Sequence, residues 1–277
     1  MNAADLCLSA VILTWNSAAH VGRTFAALVR ELDGLTAEII VVDNGSADAS
    51  LQIIRDHAPQ VRVIQNSSNV GVARARNQGI AASRGRHLLL LDSDAEMAPG
   101  SLREMLRFLE ASPGVGIVGP MLTYPDGTLQ FSCRRFPTLQ GKILRQLPRR
   151  VRRAIAFVSN EEMYDIDRAV AQPVDYVIGA CQVFRREVIR DIGPLDERMF
   201  YGPEDVDFCL RAWQAGWAVF YLPSSVAVHH EQRITRRRPG MLTLRHGKAL
   251  AYYFWKHRYL WHRPERPSKE SDLQRVR

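Results

Sequence analysis

Paired cysteines, long apolar runs and a leader-type N-terminus are what this chain most plainly lacks. Its four cysteines, Cys7, Cys133, Cys181 and Cys209, are scattered and never fall in a C-x-x-C pair. That spacing argues against a disulfide framework or a zinc site, and a reducing compartment fits best. No run approaches the roughly 18 apolar residues needed to cross a bilayer. The first residues, MNAADLCLSAVILTW, have neither a basic segment nor a small-residue cleavage site, so a first strand is expected there and not a signal peptide. A cytoplasmic protein is expected. The chain also has no internal repeat.

What is present points to a globular enzyme-sized fold. A length of 277 residues with 46% hydrophobic content suits one large α/β domain, or one domain with an appendage, and 24% charged residues argue against global disorder. The net charge of +8 is unevenly spread: Arg233 to Arg277 holds 13 Lys/Arg against 3 Asp/Glu, which leaves the rest of the chain slightly acidic. A second stretch, Arg134 to Arg153, holds eight Lys/Arg and no acid. Such clusters suit an anionic partner, whereas for any single Arg a solvated basic face is the simpler expectation.

Short apolar runs alternate with amphipathic stretches over the first ~130 residues, the pattern of a parallel sheet covered by helices. Strands are expected at Leu8–Leu13, Glu38–Val42, Val61–Gln65 and Arg86–Leu91. Helices are expected from Asn16 or Ser17 to Leu32, from Ser46 or Asp48 to His57, from Gly71 to Ser83, and from Pro99 to Glu110. After Val115 the pattern changes. Tyr124–Thr128 reads as a hairpin turn, 139–158 as a basic helix, and Val174–Phe184 as a buried strand. Pro203 opens a helix to Ala215, Trp217–Leu222 and Val226–His229 read as strands, and Gly240–Trp261 as a helix with a charged, mobile tail after it.

The most informative stretch is Leu88-Leu89-Leu90-Leu91-Asp92-Ser93-Asp94, an apolar strand that runs straight into two acids. Ligands of open α/β sheets bind at the carboxyl ends of strands, and two acids on one turn repel unless a cation lies between them. Oxygen ligands favour Mg²⁺ or Mn²⁺. Asp43 ends a comparable strand and can accept from a ribose hydroxyl or a base imide, or else close an Asx turn toward Gly45. Glu204 and Asp205 begin a helix, where acids also stabilise the dipole; Asp205 is the choice as general base, with Glu204 its positioning neighbour. Asp207 reaches Arg211 at i+4, expected as a surface salt bridge. His229-His230 ends a strand, and since neighbouring strand residues point opposite ways, at most one of them can be a metal ligand.

Taken in order, VILTWNS, EIIVVDNGS, NVGVARARNQGI, LLLLDSDAE, DYVIGACQVFRREVIRDIGPLDERMFYGPEDVDFCLRAWQAG and the VHH end resemble inverting glycosyltransferases of family 2, across residues 7–231. Within that family the chain looks most like bacterial rhamnosyltransferase-type enzymes of surface polysaccharide synthesis. The resemblance implies a GT-A fold: a Rossmann-like, mostly parallel sheet with flanking helices, here with a C-terminal helical extension. It divides the chain into a glycosyltransferase domain, 1–232, with a nucleotide-binding half (1–115) and an acceptor half (116–232), and a basic helix and tail, 233–277. Asp43, Thr14 and Asn16 would contact the donor nucleoside, with Arg76 and Asn77 in the segment flanking it. Asp94 would bind the cation on the diphosphate, and Asp92, beside Ser93, would contact the ribose or the metal. His229 would be the further metal ligand and Asp205 the base. Gly179 and Ala180 would let the backbone approach the sugar. The chain departs from many relatives at Glu231-Gln232, where they carry a Gly/Ser-rich turn, and the insert Thr138–Gln172 matches no motif of the family.

The expected partners are a nucleoside-diphosphate sugar and a glycan or lipid-linked acceptor. Rhamnose from a deoxythymidine or uridine diphosphate is the first choice by resemblance, with galactofuranose, glucose and N-acetylglucosamine as alternatives. The competing enzyme class, a sugar-phosphate nucleotidyltransferase, needs a Gly-rich loop after the first strand, and Thr14-Trp15-Asn16-Ser17 lacks it. No nucleic-acid-binding signature is found. The basic helix around Leu242–Trp255 suits peripheral contact with an anionic membrane surface, the inner face of the plasma membrane, or else packs on the core with a solvated basic side.

Overall fold

The computed structural model describes residues 6–145, 147, 151, 155, 160–163, 166–231 and 240–266. The expected alternation appears as β1 (Leu8–Thr14), α1 (Val21–Leu32), β2 (Ala37–Asp43), α2 (Ser50–His57), β3 (Arg62–Gln65), α3 (Val72–Ala82) and β4 (His87–Asp92). A short β5 (Ala95–Met97) and α4 (Ser101–Ala111) follow. Next come β6 (Val115–Thr123), β7 (Leu129–Gln130), β8 (Cys133–Arg134) and α5 (Leu139–Leu144). The chain continues through β9 (Gln172–Pro173), β10 (Tyr176–Val177), β11 (Cys181–Arg185) and α6 (Arg186–Ile192). It closes with α7 (Glu204–Gln214), β12 (Ala218–His229) and α8 (Met241–His257).

One sheet runs in the order β3-β2-β1-β4-β11-β6-β12-β5, with β7 on β6 and β9 on β12. The β3-β2-β1-β4 pairs and β6-β12 are parallel; β11 runs antiparallel between β4 and β6 and so joins the two halves of the chain in one sheet. The register places the site. Thr14 pairs with Asp43 and Leu13 with Asp92, so three strands end along one edge. Because β11 is antiparallel to β4, its first residue, Cys181, lies beside Leu91 at that same edge. His229, at the end of β12, pairs with Ala95 directly after Asp94. Leu88, Leu89, Leu90 and Leu91 are at most 1% exposed, and each buried Leu stabilises by roughly 1.5–3 kcal/mol relative to exposure. This apolar strand anchors the acids that follow it.

Several expectations are corrected. α1 begins at Val21 and not at Asn16 or Ser17, because Asn16 takes a positive φ of 50° and its side-chain oxygen accepts instead from the Ala47 N–H. The strand expected over Val174–Phe184 breaks at Ile178-Gly179-Ala180: the Ile178 N–H donates to Ser132 O, Gly179 bonds the side chains of Arg76 and Asp205, and Ala180 O accepts from the Asp92 N–H. Conversely, Trp217–Leu222 and Val226–His229 join in one strand, β12, with an irregularity between Leu222 and Val226. β6 ran unread in the sequence. Of the helix expected over 139–158 the described part is α5, and residues 232–239 and the tail past 266 lie outside the described residues.

Asp207 is also corrected. It is no surface partner: its side chain is fully buried and accepts from Arg211 Nε (2.8 Å), Lys256 Nζ (2.5 Å) and His257 Nε2 (2.8 Å), tying α8 to α7. Burial opposes its charge, but the bonds from His257, Arg211 and Lys256 outweigh that and hold its carboxyl below the usual range. This contribution is therefore full above the unfolded carboxylate pKa and is lost as pH falls through the folded one. Asp207→Asn leaves Arg211, Lys256 and His257 around a neutral amide and should cost about 3–5 kcal/mol in urea unfolding. A change under about 1 kcal/mol would mean that α8 is held by its buried Ala249, Tyr253 and Phe254 alone.

Candidate functional site

The strand ends open into a cavity of about 600 Å³, lined among others by Trp15, Arg76, Asp92, Asp94, Gly179, Glu204, Asp205 and His229. The D-x-D turn is tied down on all sides. The Asp92 N–H donates to Ala180 O (2.9 Å), the Ser93 N–H to Leu13 O (3.2 Å), and the His230 N–H to Asp94 O (2.9 Å). Ser93 Oγ bonds Ser17 Oγ at 2.6 Å. Ser93 thus supports the turn through its hydroxyl while also lining the cavity.

Asp92, Asp94 and His229 each offer one ligand atom, all within 4.8 Å of one another. His229 Nδ1 lies 3.0 Å from the Gln130 side-chain oxygen, which can only accept, so Nδ1 carries the proton and Nε2 faces Asp94 at 3.5 Å. Burial works against a charged ring, but the bond and charge of Asp94, followed by Asp92, raise the His229 pKa. The ring thus feels a field set by carboxylates. Two carboxylates and an imidazole, with the imidazole oriented by a neighbour, fit a divalent cation. His230 turns away: its Nε2 meets Glu96 at 2.6 Å, and its ring lies tilted beside that of His20, with centroids 4.9 Å apart. Of the two adjacent histidines, His229 is the one that faces the acids.

Arg76 organises the other half. Its guanidinium, 4% exposed, donates to Asp92 Oδ1 (2.7 Å), Gly179 O (2.7 Å) and Glu204 Oε1 (3.4 Å). Burial disfavours its charge, yet Asp92 and Glu204 raise its pKa further. The same glycine also meets Asp205: the Gly179 N–H donates to Asp205 Oδ2 (3.0 Å), and the Val206 N–H to Asp205 Oδ1 (2.8 Å). Asp205 is therefore oriented by two backbone N–H groups, one of them on the residue whose carbonyl Arg76 holds. A Cβ on Gly179 would lie 2.4 Å from Arg76 Nη1. The glycine makes room for the guanidinium as well as for any ligand. Burial, then the charge of Asp205, push the Glu204 carboxyl up to about 7 against the pull of Arg76. One Glu204 oxygen, Oε2, is buried with no hydrogen-bond partner.

The nucleoside end of the expectation is only partly met. Asp43 is fully buried and accepts from the Ser46 N–H (3.2 Å) in the Asx turn that the sequence allowed. Neither it nor Thr14 nor Asn16 lines the cavity; their neighbours Asn44 and Trp15 do. Thr14 Oγ1 is buried and unpartnered. Asn77 points away from the cavity and holds the segment before α7, with its amide donating to Leu195 O (2.8 Å) and accepting from the Leu195 N–H (3.0 Å). Gly71, at φ 93°, lets α3 start against Phe200, whose ring would clash with any Cβ there.

The sequence reading missed Trp15, 37% exposed at the rim, and the cavity-lining cations Arg134, Lys142 and Arg145. An exposed indole straight after a strand end was a readable signal. The cations were visible only as a basic stretch, and nothing in their spacing showed that they turn inward.

A protein-family model described as Glycosyl transferase family 2 matches residues 9–193. The N-acetylglucosaminyl-diphospho-decaprenol L-rhamnosyltransferase of Mycobacterium tuberculosis is 29% identical over 94% of this chain and 88% of its own length. Among solved structures, mannosyltransferase PcManGT from Pyrobaculum calidifontis, in complex with GDP-Man and Mn²⁺, superposes with a TM-score of 0.59 at 19% identity, covering 97% of this chain and 68% of that one. S. aureus TarS 1-349 in complex with UDP-GlcNAc gives 0.55 at 18% identity, over 85% of this chain and 62% of that one. At these identities the structural likeness is one of fold.

Proposed function

Because the chain belongs to glycosyl transferase family 2 and has the GT-A fold, we propose that it is a cation-dependent inverting enzyme. On this reading it moves a sugar, rhamnose by first choice, from a nucleoside diphosphate to a hydroxyl of a glycan or lipid-linked acceptor. The observation that carries this reading is one cavity holding both an Asp92–Asp94–His229 set and the aimed carboxylate of Asp205. The rhamnosyltransferase relative supports the sugar, and the Mn²⁺ bound by the mannosyltransferase supports the metal.

Asp94, Asp92 and His229 Nε2 would hold Mg²⁺ or Mn²⁺. When bound, the ion supplies positive charge beside the donor diphosphate, where negative charge grows as the sugar bond breaks. Arg76 keeps Asp92 in position. Asp205 accepts the proton of the acceptor hydroxyl while its oxygen attacks the anomeric carbon from the side opposite the diphosphate. A single displacement inverts the configuration, with no covalent intermediate. Trp15 at the rim offers a flat face for the nucleoside base, beside Asn44 and Asn69. The halves 1–115 and 116–232 then serve donor and acceptor, and 233–277 acts as an appendage.

The outer face of α8 exposes Met241 (66%), Leu244 (54%) and Trp255 (73%) beside Arg245 and Lys248, which supports contact with an anionic lipid surface. No helix among the described residues is long and apolar enough to cross a membrane.

The test is transfer itself: purified chain, Mn²⁺, a panel of nucleoside-diphosphate sugars and a lipid-diphosphate-linked N-acetylglucosamine, with release of nucleoside diphosphate as the readout. Binding gives an independent check. At about 100 times Kd the matching nucleoside diphosphate should stabilise the fold by about 2.7 kcal/mol in thermal melts with Mn²⁺, and the shift should vanish in EDTA or in Asp94→Ala. A full shift in Asp94→Ala would remove the metal assignment.

A further inference from the structure

No step of the proposed donor chemistry uses the basic residues that the fold turns inward. Arg134 lies on β8, paired with Tyr176 of β10, while Lys142 and Arg145 come from α5 and the residue after it. All three line the catalytic cavity. Thr138 caps α5 by accepting from the Gly141 N–H (3.0 Å), and the Leu139 N–H donates to Leu260 O (2.8 Å), so these cations sit on an anchored wall.

Glu161, Glu162 and Glu231 offset part of their charge, Glu162 and Glu231 acting on Arg134, which also bonds Tyr176. Glu162 takes Arg145 Nε at 3.3 Å, and Glu161, 1% exposed, is shared at 3.9 Å between Arg145 and Arg263. Arg134 Nε is buried without a hydrogen-bond partner. The Lys142 side chain makes no ion pair or hydrogen bond with any described residue. Burial, then repulsion from Arg145 and Arg134 against the pull of Glu161, bring its pKa down to about 8. A half-buried ammonium facing a cavity among like charges is costly unless an anion fills the space.

We propose that Arg134, Lys142 and Arg145 form a phosphate subsite for the acceptor, so that the acceptor is a phosphate- or diphosphate-linked lipid. This rests on the glycosyltransferase reading above. Two guanidinium forks and a point charge suit a diphosphate. The donor diphosphate belongs with Asp92, Asp94 and His229, whereas the acids that bear most on Lys142 are Glu161 and Asp205. We assign the phosphate that meets this wall to the molecule that Asp205 would deprotonate, because the wall and Asp205 line the same cavity and Asp92, Asp94 and His229 are committed to the donor. The outer side of the wall is apolar, with Ile143 59% and Leu260 44% exposed, as a prenyl tail requires.

The experiment titrates farnesyl diphosphate into the full chain in EDTA, so that no metal on the D-x-D can hold the phosphates. Lys142→Met should weaken binding by about tenfold or more, and Lys142→Arg should restore it. The Lys142 side chain has no partner to lose, so both variants should fold, with melting curves as the control. Inorganic pyrophosphate should compete and farnesol should not; the reverse would overturn the proposal. Unchanged farnesyl diphosphate affinity in Lys142→Met would also overturn it, as would an equal loss of nucleoside diphosphate affinity in Mn²⁺, which would assign the wall to the donor. Absence of transferase activity would sink the catalytic reading and leave this binding result standing.

Discussion

Asp205→Asn should lower the turnover number by about 10²–10⁴ while leaving Mn²⁺–nucleoside diphosphate affinity within about twofold of wild type, well under the 1.4 kcal/mol that a tenfold change represents. The amide keeps the size, and its single oxygen can still accept from one of the two N–H groups, Gly179 or Val206, that hold the carboxylate. It cannot take a proton from a hydroxyl. The deficit should therefore fall on the turnover number and not on donor KM, because the lost interaction exists only as the acceptor oxygen attacks. Steady-state kinetics with saturating acceptor would show it. Near-normal turnover in this variant would move the base elsewhere, and Glu204 is the neighbour to test next.

Arg76→Met should destabilise the fold by about 3–5 kcal/mol in urea unfolding. It strips one buried guanidinium from Asp92, Glu204 and the Gly179 carbonyl together. The acids then face one another, since Asp92 already lies beside Asp94, and Glu204 beside Asp205. The pH dependence has a definite sign. A buried carboxyl whose folded pKa is raised takes up a proton on folding, so its cost is absent in acid and grows as pH rises above the usual carboxylate range. The loss in Arg76→Met should accordingly be smaller at pH 5 than at pH 8. Adding Glu204→Gln should recover part of it, because one of the stranded charges is gone. An unchanged urea midpoint in Arg76→Met would show that the network contributes little. Transfer should also fall, since Gly179 would no longer be fixed beside Asp205.

The two variants separate direct chemistry from support. In the proposed mechanism Asp205 meets the reacting hydroxyl, whereas Arg76 positions Asp92 and, through the single residue Gly179, Asp205. That residue explains why the strand expected over Val174–Phe184 is interrupted. Its carbonyl and amide are committed to Arg76 and Asp205, so Gly179 cannot also serve a strand ladder.

What the chain alone determined was the local pattern with its acids: apolar strands ending at Asp43 and Asp92, a helix opening on Glu204-Asp205, and a strand closing on His229. Strand burial and helix periodicity act over a few residues, so side-chain type and spacing record them directly. Tertiary structure alone decided which of these ends share a cavity. The antiparallel insertion of β11 beside β4 brings Gly179 between Arg76 and Asp205, and the pairing of β12 with β5 turns His229 toward Asp94 and His230 toward Glu96. It also buried the Asp207 pair that i+4 spacing read as surface, and it faced Arg134, Lys142 and Arg145 inward. The reason is physical: pairing strands that lie far apart in the chain, and the sign of charge across a cavity, depend on residues tens of positions away, and no local spacing encodes them.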